Sequence, residues 1–190
     1  MDWKKNFLES SILGQSTDKS DSNAVQLKCI DLAYKDMMTA GRYYSNSFLH
    51  TKDEICYATD TAIKQCEYIF SKDLISDISL LFCADIIGSE NKYVTGYGLA
   101  QKLINMTFKY LYVFSDLIFT EHSVPDFSLR DCPLDSIILK KASITGVVWS
   151  KLTASQYQEC QDKISNLLKS KPLDSELSKL GNLAFDFLNW

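Results

Sequence analysis

Glycine and proline are both scarce in this 190-residue chain, at seven and three residues. Sheets with many tight turns need both, so their shortage excludes long β-meanders and suits long helices on short connections. Histidine is scarcer still, with only His50 and His122. The six cysteines (Cys29, Cys56, Cys66, Cys83, Cys132 and Cys160) never form C-x-x-C, so no zinc or iron–sulfur ligand set emerges and no metal or cofactor is expected. The start M-D-W-K-K-N-F-L-E-S lacks the apolar stretch of a secretory signal, and no run approaches the about 18 apolar residues of a membrane span. A reducing cytoplasm and no membrane partner are therefore expected. P-loop and G-x-S-x-G patterns are absent too.

What remains is ordinary globular composition, 46% hydrophobic and 23% charged, in a length that favours one domain. The net charge of −4 excludes a protein coated with phosphate-binding residues. The charge is uneven, however. Residues 52–91 carry three lysines against eight acids, whereas residues 92–151 carry seven basic residues against five acids. A polyanion site belongs in the second block.

The patterning predicts an all-α single domain, residues 1–190, of about eight helices. A helix over Trp3–Leu13 precedes a flexible loop at 10–23, rich in Ser, Asp and Gly. Leu27, Ile30, Leu32, Tyr34 and Met37–Met38 supply the apolar face of a helix over Asn23–Ala40, which Gly41 ends. T-K-D-E at Thr51–Glu54 is a capping box opening a helix to Phe70, and Ser71 caps the next, closed by Gly88. A long helix runs from the G-Y-G triplet to Leu117. Pro133 and Asp135 open a short one, with Asp135 at the positive end of its dipole. A second capping box, T-A-S-Q at Thr153–Gln156, starts a helix to Ser170, and Pro172 begins a last helix to Trp190.

The long helix poses the functional question. Gly98, Lys102, Asn105, Lys109 and Asp116 fall on one stripe of a helix otherwise apolar almost all round. Such a stripe faces solvent or a cleft. In a cleft, a lysine losing hydration becomes a nucleophile near neutral pH. The G-Y-G triplet, Gly96–Gly98, resembles the hairpin of a helix-hairpin-helix element, where glycines allow the turn and amides hold a DNA phosphate. C-P-L-D at Cys132–Asp135 then places a carboxylate 33 residues after Lys102.

Lysine helix, long loop and Pro-apolar-Asp before a helix resemble the helix-hairpin-helix DNA glycosylases. Q-K-L-I-N-M-T-F-K (Gln101–Lys109), C-P-L-D and D-F-L-N-W (Asp186–Trp190) are most similar to the archaeal-type 8-oxoguanine glycosylase branch. The resemblance spans residues 96–190. It implies Lys102 as the nucleophile at C1′ of the damaged nucleotide, forming a Schiff base. It implies Asp135 as the group that deprotonates Lys102 and stabilises the cationic sugar. Asp186 would hydrogen-bond the flipped base and Trp190 would stack on it. Helix geometry puts Met106 on the opposite wall, and Gln26 is the candidate for an N-terminal base contact. Gly96, Gly98 and Lys109 are candidates for phosphate binding, Lys109 otherwise only continuing the polar stripe. The expected partner is duplex DNA bearing a damaged or modified base, bound by a monomer. Two other readings stand beside it. One is a non-enzymatic helical interaction module, for which Lys102 and Asp135 would lie apart or in bulk water. The other is a helical nuclease built on Arg42 and His50.

Overall fold

A computed structural model describes residues 9–14, 17–41, 48–65, 70–82, 96–119 and 125–189. Every regular element among them is helical, so the fold is all-α. After a π-type turn at Glu9–Leu13, eight α-helices follow in order. They are α1 (Ser22–Gly41), α2 (Lys52–Lys64), α3 (Ser71–Ser79), α4 (Gly96–Val113), α5 (Ser115–Ile118), α6 (Ser136–Lys141), α7 (Ala154–Lys169) and α8 (Leu183–Leu188). Short 3₁₀ turns lie at Phe127–Leu129, Trp149–Lys151 and Leu177–Lys179.

The architecture is organised around α4. It packs along α1 and α3 and against the Trp149–Lys151 turn, and every residue from Gly96 to Lys109 is buried. Leu99, Leu103, Ile104, Phe108 and Leu111 are core residues, each contributing roughly 1.5–3 kcal/mol of apolar burial. Gly96 and Gly98 lie inside the first turn of this helix. A Cβ on Gly96 would collide with the carbonyl oxygen of Ser79, and one on Gly98 would stand 2.5 Å from the carbonyl oxygen of Trp149. Close backbone packing therefore accounts for both glycines. A hairpin before them would fall in residues 83–95, outside the described residues.

Local chemistry explains most helix starts. Both capping boxes form: Thr51 with Glu54, and Thr153 with Gln156. Other expectations need correcting. Helix α2 stops at Lys64, with Gln65 as its C-cap, short of the expected Phe70. The N-cap of α3 is Phe70, not Ser71, because the buried Ser71 hydroxyl instead accepts from the Asp131 amide at 3.3 Å. The long helix breaks at Phe114 and resumes as α5, ending at Ile118. Ser10–Leu13, where the expected helix to Leu13 and the expected loop from residue 10 overlap, belong to a π-type turn that ends at Leu13, and Leu13 is buried in the core. Leu27 is 49% exposed, and the buried face of α1 runs through Val25, Cys29, Ile30, Ala33 and Met37.

The C-terminal region departs most. No helix starts at Pro172; a 3₁₀ turn and a left-handed Gly181 (φ 53°) precede α8. At Gly181 a Cβ would strike the carbonyl oxygen of Ser128. Positive φ and close approach together break the chain there and re-aim it, so that Asp186 points at α4. The expected end at Trp190, Gly88 as a C-cap and the helix before Glu9 lie outside the described residues.

Candidate active site

Neighbouring residues on α4 meet neighbouring residues before α6. Gln101 is fully buried and pairs with the backbone of Leu134 twice. Its Nε2 donates to the Leu134 carbonyl at 2.8 Å, and its Oε1 accepts from the Leu134 amide at 3.0 Å. Gln161, on α7, does the same at Cys132, donating to the carbonyl at 2.7 Å and accepting from the amide at 3.2 Å. Asn105 leaves the expected polar stripe and turns inward, donating to the Tyr157 hydroxyl at 2.9 Å. Side-chain amides suit this task because each offers a donor and an acceptor, as a backbone peptide does.

The segment so gripped delivers Asp135. One carboxylate oxygen caps α6, accepting from the Ile137 and Ile138 amides at 2.9 and 2.8 Å. The other accepts from Lys102 Nζ at 2.8 Å. Their side chains are 7% and 26% exposed, so the pair stands in a cleft rather than in bulk water. Burial disfavours the Asp135 carboxylate, but the Lys102 ammonium and the two amides outweigh it, holding the carboxyl below the usual range. The group is thus an ionised acceptor facing a lysine.

A second ion pair lies along the same helix. Lys109 Nζ is 2.5 Å from Asp186 Oδ2, with both side chains almost fully buried, and the ammonium also sits over the Phe187 ring at 5.8 Å. Tyr110 donates its hydroxyl to Asp36 Oδ2 at 2.7 Å. Burial, then the Asp36 acceptor, raises the pKa of that hydroxyl, so it remains a neutral donor.

These groups line one cleft of about 420 Å³, a size suited to a small organic ligand. Its floor is α4, through Lys102, Met106, Lys109 and Tyr110; Asp36 and Thr39 form one wall, while Asp135 to Ile138, Trp149, Asp186 and Asn189 form the others. No family model, curated protein or solved structure matches the chain.

Of the residues singled out in the sequence, Lys102, Asp135, Met106, Lys109 and Asp186 therefore share this cleft. Lys109 meets a carboxylate there. Gln26 lies elsewhere, donating at 2.7 Å to Asp60 between α1 and α2. Gly96 and Gly98 are buried under Ser79 and Trp149–Ser150. Trp190, Arg42 and His122 lie outside the described residues, and His50 sits 3.6 Å from Glu54 on an exposed surface. Asp36, Thr39, Tyr110, Trp149 and Asn189, which the sequence does not single out, also line the cleft. Only the phase of Tyr110 beside Met106 on α4 hints at its place. Among the described residues no His, Cys, Asp and Glu group is arranged to hold a metal, and no helix is long and apolar enough to cross a membrane.

Proposed function

We propose that the protein is a DNA glycosylase that draws a damaged or modified base, such as 8-oxoguanine, into this cleft and excises it with Lys102, with strand-nicking lyase activity following. The observation that carries the reading is the Lys102–Asp135 pair, 2.8 Å apart, in a cleft that also holds Met106 and Asp186. Asp135, an ionised acceptor, takes a proton from the Lys102 ammonium. The free amine attacks C1′ of the nucleotide, the bond from C1′ to the base nitrogen breaks, and its electron pair leaves with the base. As that bond breaks, the Asp135 carboxyl returns its proton to the departing base, and the resulting carboxylate faces the positive charge that develops on the sugar and then rests on the Lys102 nitrogen. Opening of the sugar ring, with a proton passing from the Lys102 nitrogen to the ring oxygen, gives a protonated Schiff base, which water hydrolyses or which loses its C2′ proton to water and then the 3′ phosphate by β-elimination. Asp186 and Met106 supply an acceptor and an apolar wall for the extruded base.

Borohydride reduction tests the Schiff base directly. Duplex oligonucleotides carrying 8-oxoguanine or other modified bases are incubated with enzyme and reductant. The wild type should form a covalent adduct that Lys102→Gln does not. If the wild type gives neither adduct nor base release with any such base, or Lys102→Gln matches it, the reading fails. Absence of any salt-dependent DNA affinity would then favour a non-enzymatic interaction module.

A further inference from the structure

Beside the cleft lies a second hollow, of about 400 Å³, lined by Leu139, Lys140, Ile144, Val147 and Val148, with Ser136 and Trp149 shared between the two. The loop that forms it turns through Ser143 (φ 53°) and Gly146 (φ 80°). It is tied to α6 by the Ile144 amide on the Leu139 carbonyl, at 2.8 Å, and to α7 by Lys163 on the Ser143 carbonyl, at 2.6 Å.

Its chemistry is unusual for this chain. Residues 136–151 contain Lys140, Lys141 and Lys151 and no acidic residue, within a protein of net charge −4. All three lysines are exposed. Val148 at the rim is 58% exposed, and Ile137 nearby on α6 is 61% exposed. An apolar hollow with an aromatic wall, in a stretch (136–151) whose charged residues are all lysines, matches a nucleic-acid strand, whose bases offer flat apolar faces and whose backbone is anionic. An acidic peptide would find the cations but little use for the apolar lining.

We propose that this hollow takes the nucleobase next to the one drawn into the cleft, with the Trp149 ring standing between the two and Lys140 meeting the phosphate that links them. The inference rests on the glycosylase reading and gives its partner a second point of attachment. Adjacent nucleotides of one strand thereby occupy adjacent hollows, and the flat indole can stack with a base on sequence-independent terms.

The test uses duplexes with a tetrahydrofuran abasic analogue, which cannot be excised, and 2-aminopurine at the neighbouring position. Wild-type protein should change the 2-aminopurine fluorescence on binding. Lys140→Gln should weaken binding by roughly threefold to tenfold and reduce the magnitude of the salt slope by about one. Val148→Asp, at an exposed position that leaves the core intact, should abolish the fluorescence change. If binding leaves 2-aminopurine unaltered, or both variants bind with wild-type affinity and salt slope, the inference is overturned. Should Val148→Asp instead break up a self-associated form while DNA binding is untouched, the hollow belongs to a second copy and the inference is likewise overturned. Borohydride trapping and base release by the wild type, on duplexes carrying an excisable base, separate the cases: activity with variant-insensitive binding removes this inference alone, whereas absence of both adduct and base release removes the glycosylase reading.

Discussion

Replacing Gln101 by Met tests how Asp135 is held. Met has nearly the shape of Gln, so the change leaves little void and isolates the two hydrogen bonds to Leu134, at 2.8 and 3.0 Å. It strands a buried amide and a buried carbonyl, each costing about 1–3 kcal/mol when unpaired. The expected loss is therefore about 2–6 kcal/mol, a large share of the roughly 5–15 kcal/mol of a typical domain. Urea unfolding followed by circular dichroism reads it. The loss should also depend on pH. The Asp135 carboxyl is held below its unfolded value, chiefly by Lys102 against the opposing effect of burial. Its stabilisation is thus fully present above the ordinary carboxylate range and disappears as pH falls through the folded value. Loosening Leu134 weakens the contact with Lys102, so the variant should lose more stability at pH 7 than at pH 3. A loss under about 1 kcal/mol at pH 7, or one independent of pH, would refute the account of Gln101 as the residue that sets Asp135.

Two further perturbations address buried charge. Lys109 and Asp186 lie 2.5 Å apart and almost fully buried, so Asp186→Leu should cost about 3–5 kcal/mol by taking the carboxylate from beside a buried ammonium, whereas Asp186→Leu with Lys109→Met should cost far less; single-variant losses under about 1 kcal/mol in a denaturation cycle contradict this. Asp131 has the opposite bias to Asp135: burial raises its pKa, outweighing the Tyr157 and Asn182 hydrogen bonds and the Lys72 and Arg130 charges. A folded value above the unfolded one makes the carboxylate a cost at neutral pH that fades as pH falls to the ordinary carboxylate range. Asp131→Asn should consequently raise the melting temperature at pH 7 and raise it less at pH 4, and an unchanged or lower melting temperature at pH 7 counts against it.

Short-range chemistry is legible in the chain alone. The Thr51–Glu54 and Thr153–Gln156 boxes and the start of α6 depend on residues three or four apart, so a linear pattern carries them. Helix ends depended on tertiary partners and were misjudged: Ser71 is claimed by Asp131, and Pro172 is followed by the Gly181 break. The site divides in the same way. Periodicity placed Lys102 and Lys109 on one stripe, yet it could not assign each its carboxylate, because Asp135 and Asp186 arrive from separate later elements. Asp36 and Trp149 carried no signal at all, since nothing local distinguishes a wall residue from a surface or core one. The glycines of G-Y-G were visible, but backbone crowding by Ser79 and Trp149 is a property of the packed molecule.

That crowding makes α4 a keyed shaft. With Ser79 pressed on Gly96 and Trp149–Ser150 on Gly98, the helix can neither turn nor slide without collision. The angular positions of Lys102 and Lys109, one and three turns further along, are indexed from that end. Any change in what the cleft admits must then fall on its walls, which come from α1, α6, α8 and the Trp149 turn and move independently of the shaft in sequence terms. The shape of the cleft and the placement of its amines are in this sense separable: Asp36, Trp149 or Asn189 can be exchanged to reshape the chamber while the amines stay where the glycines put them.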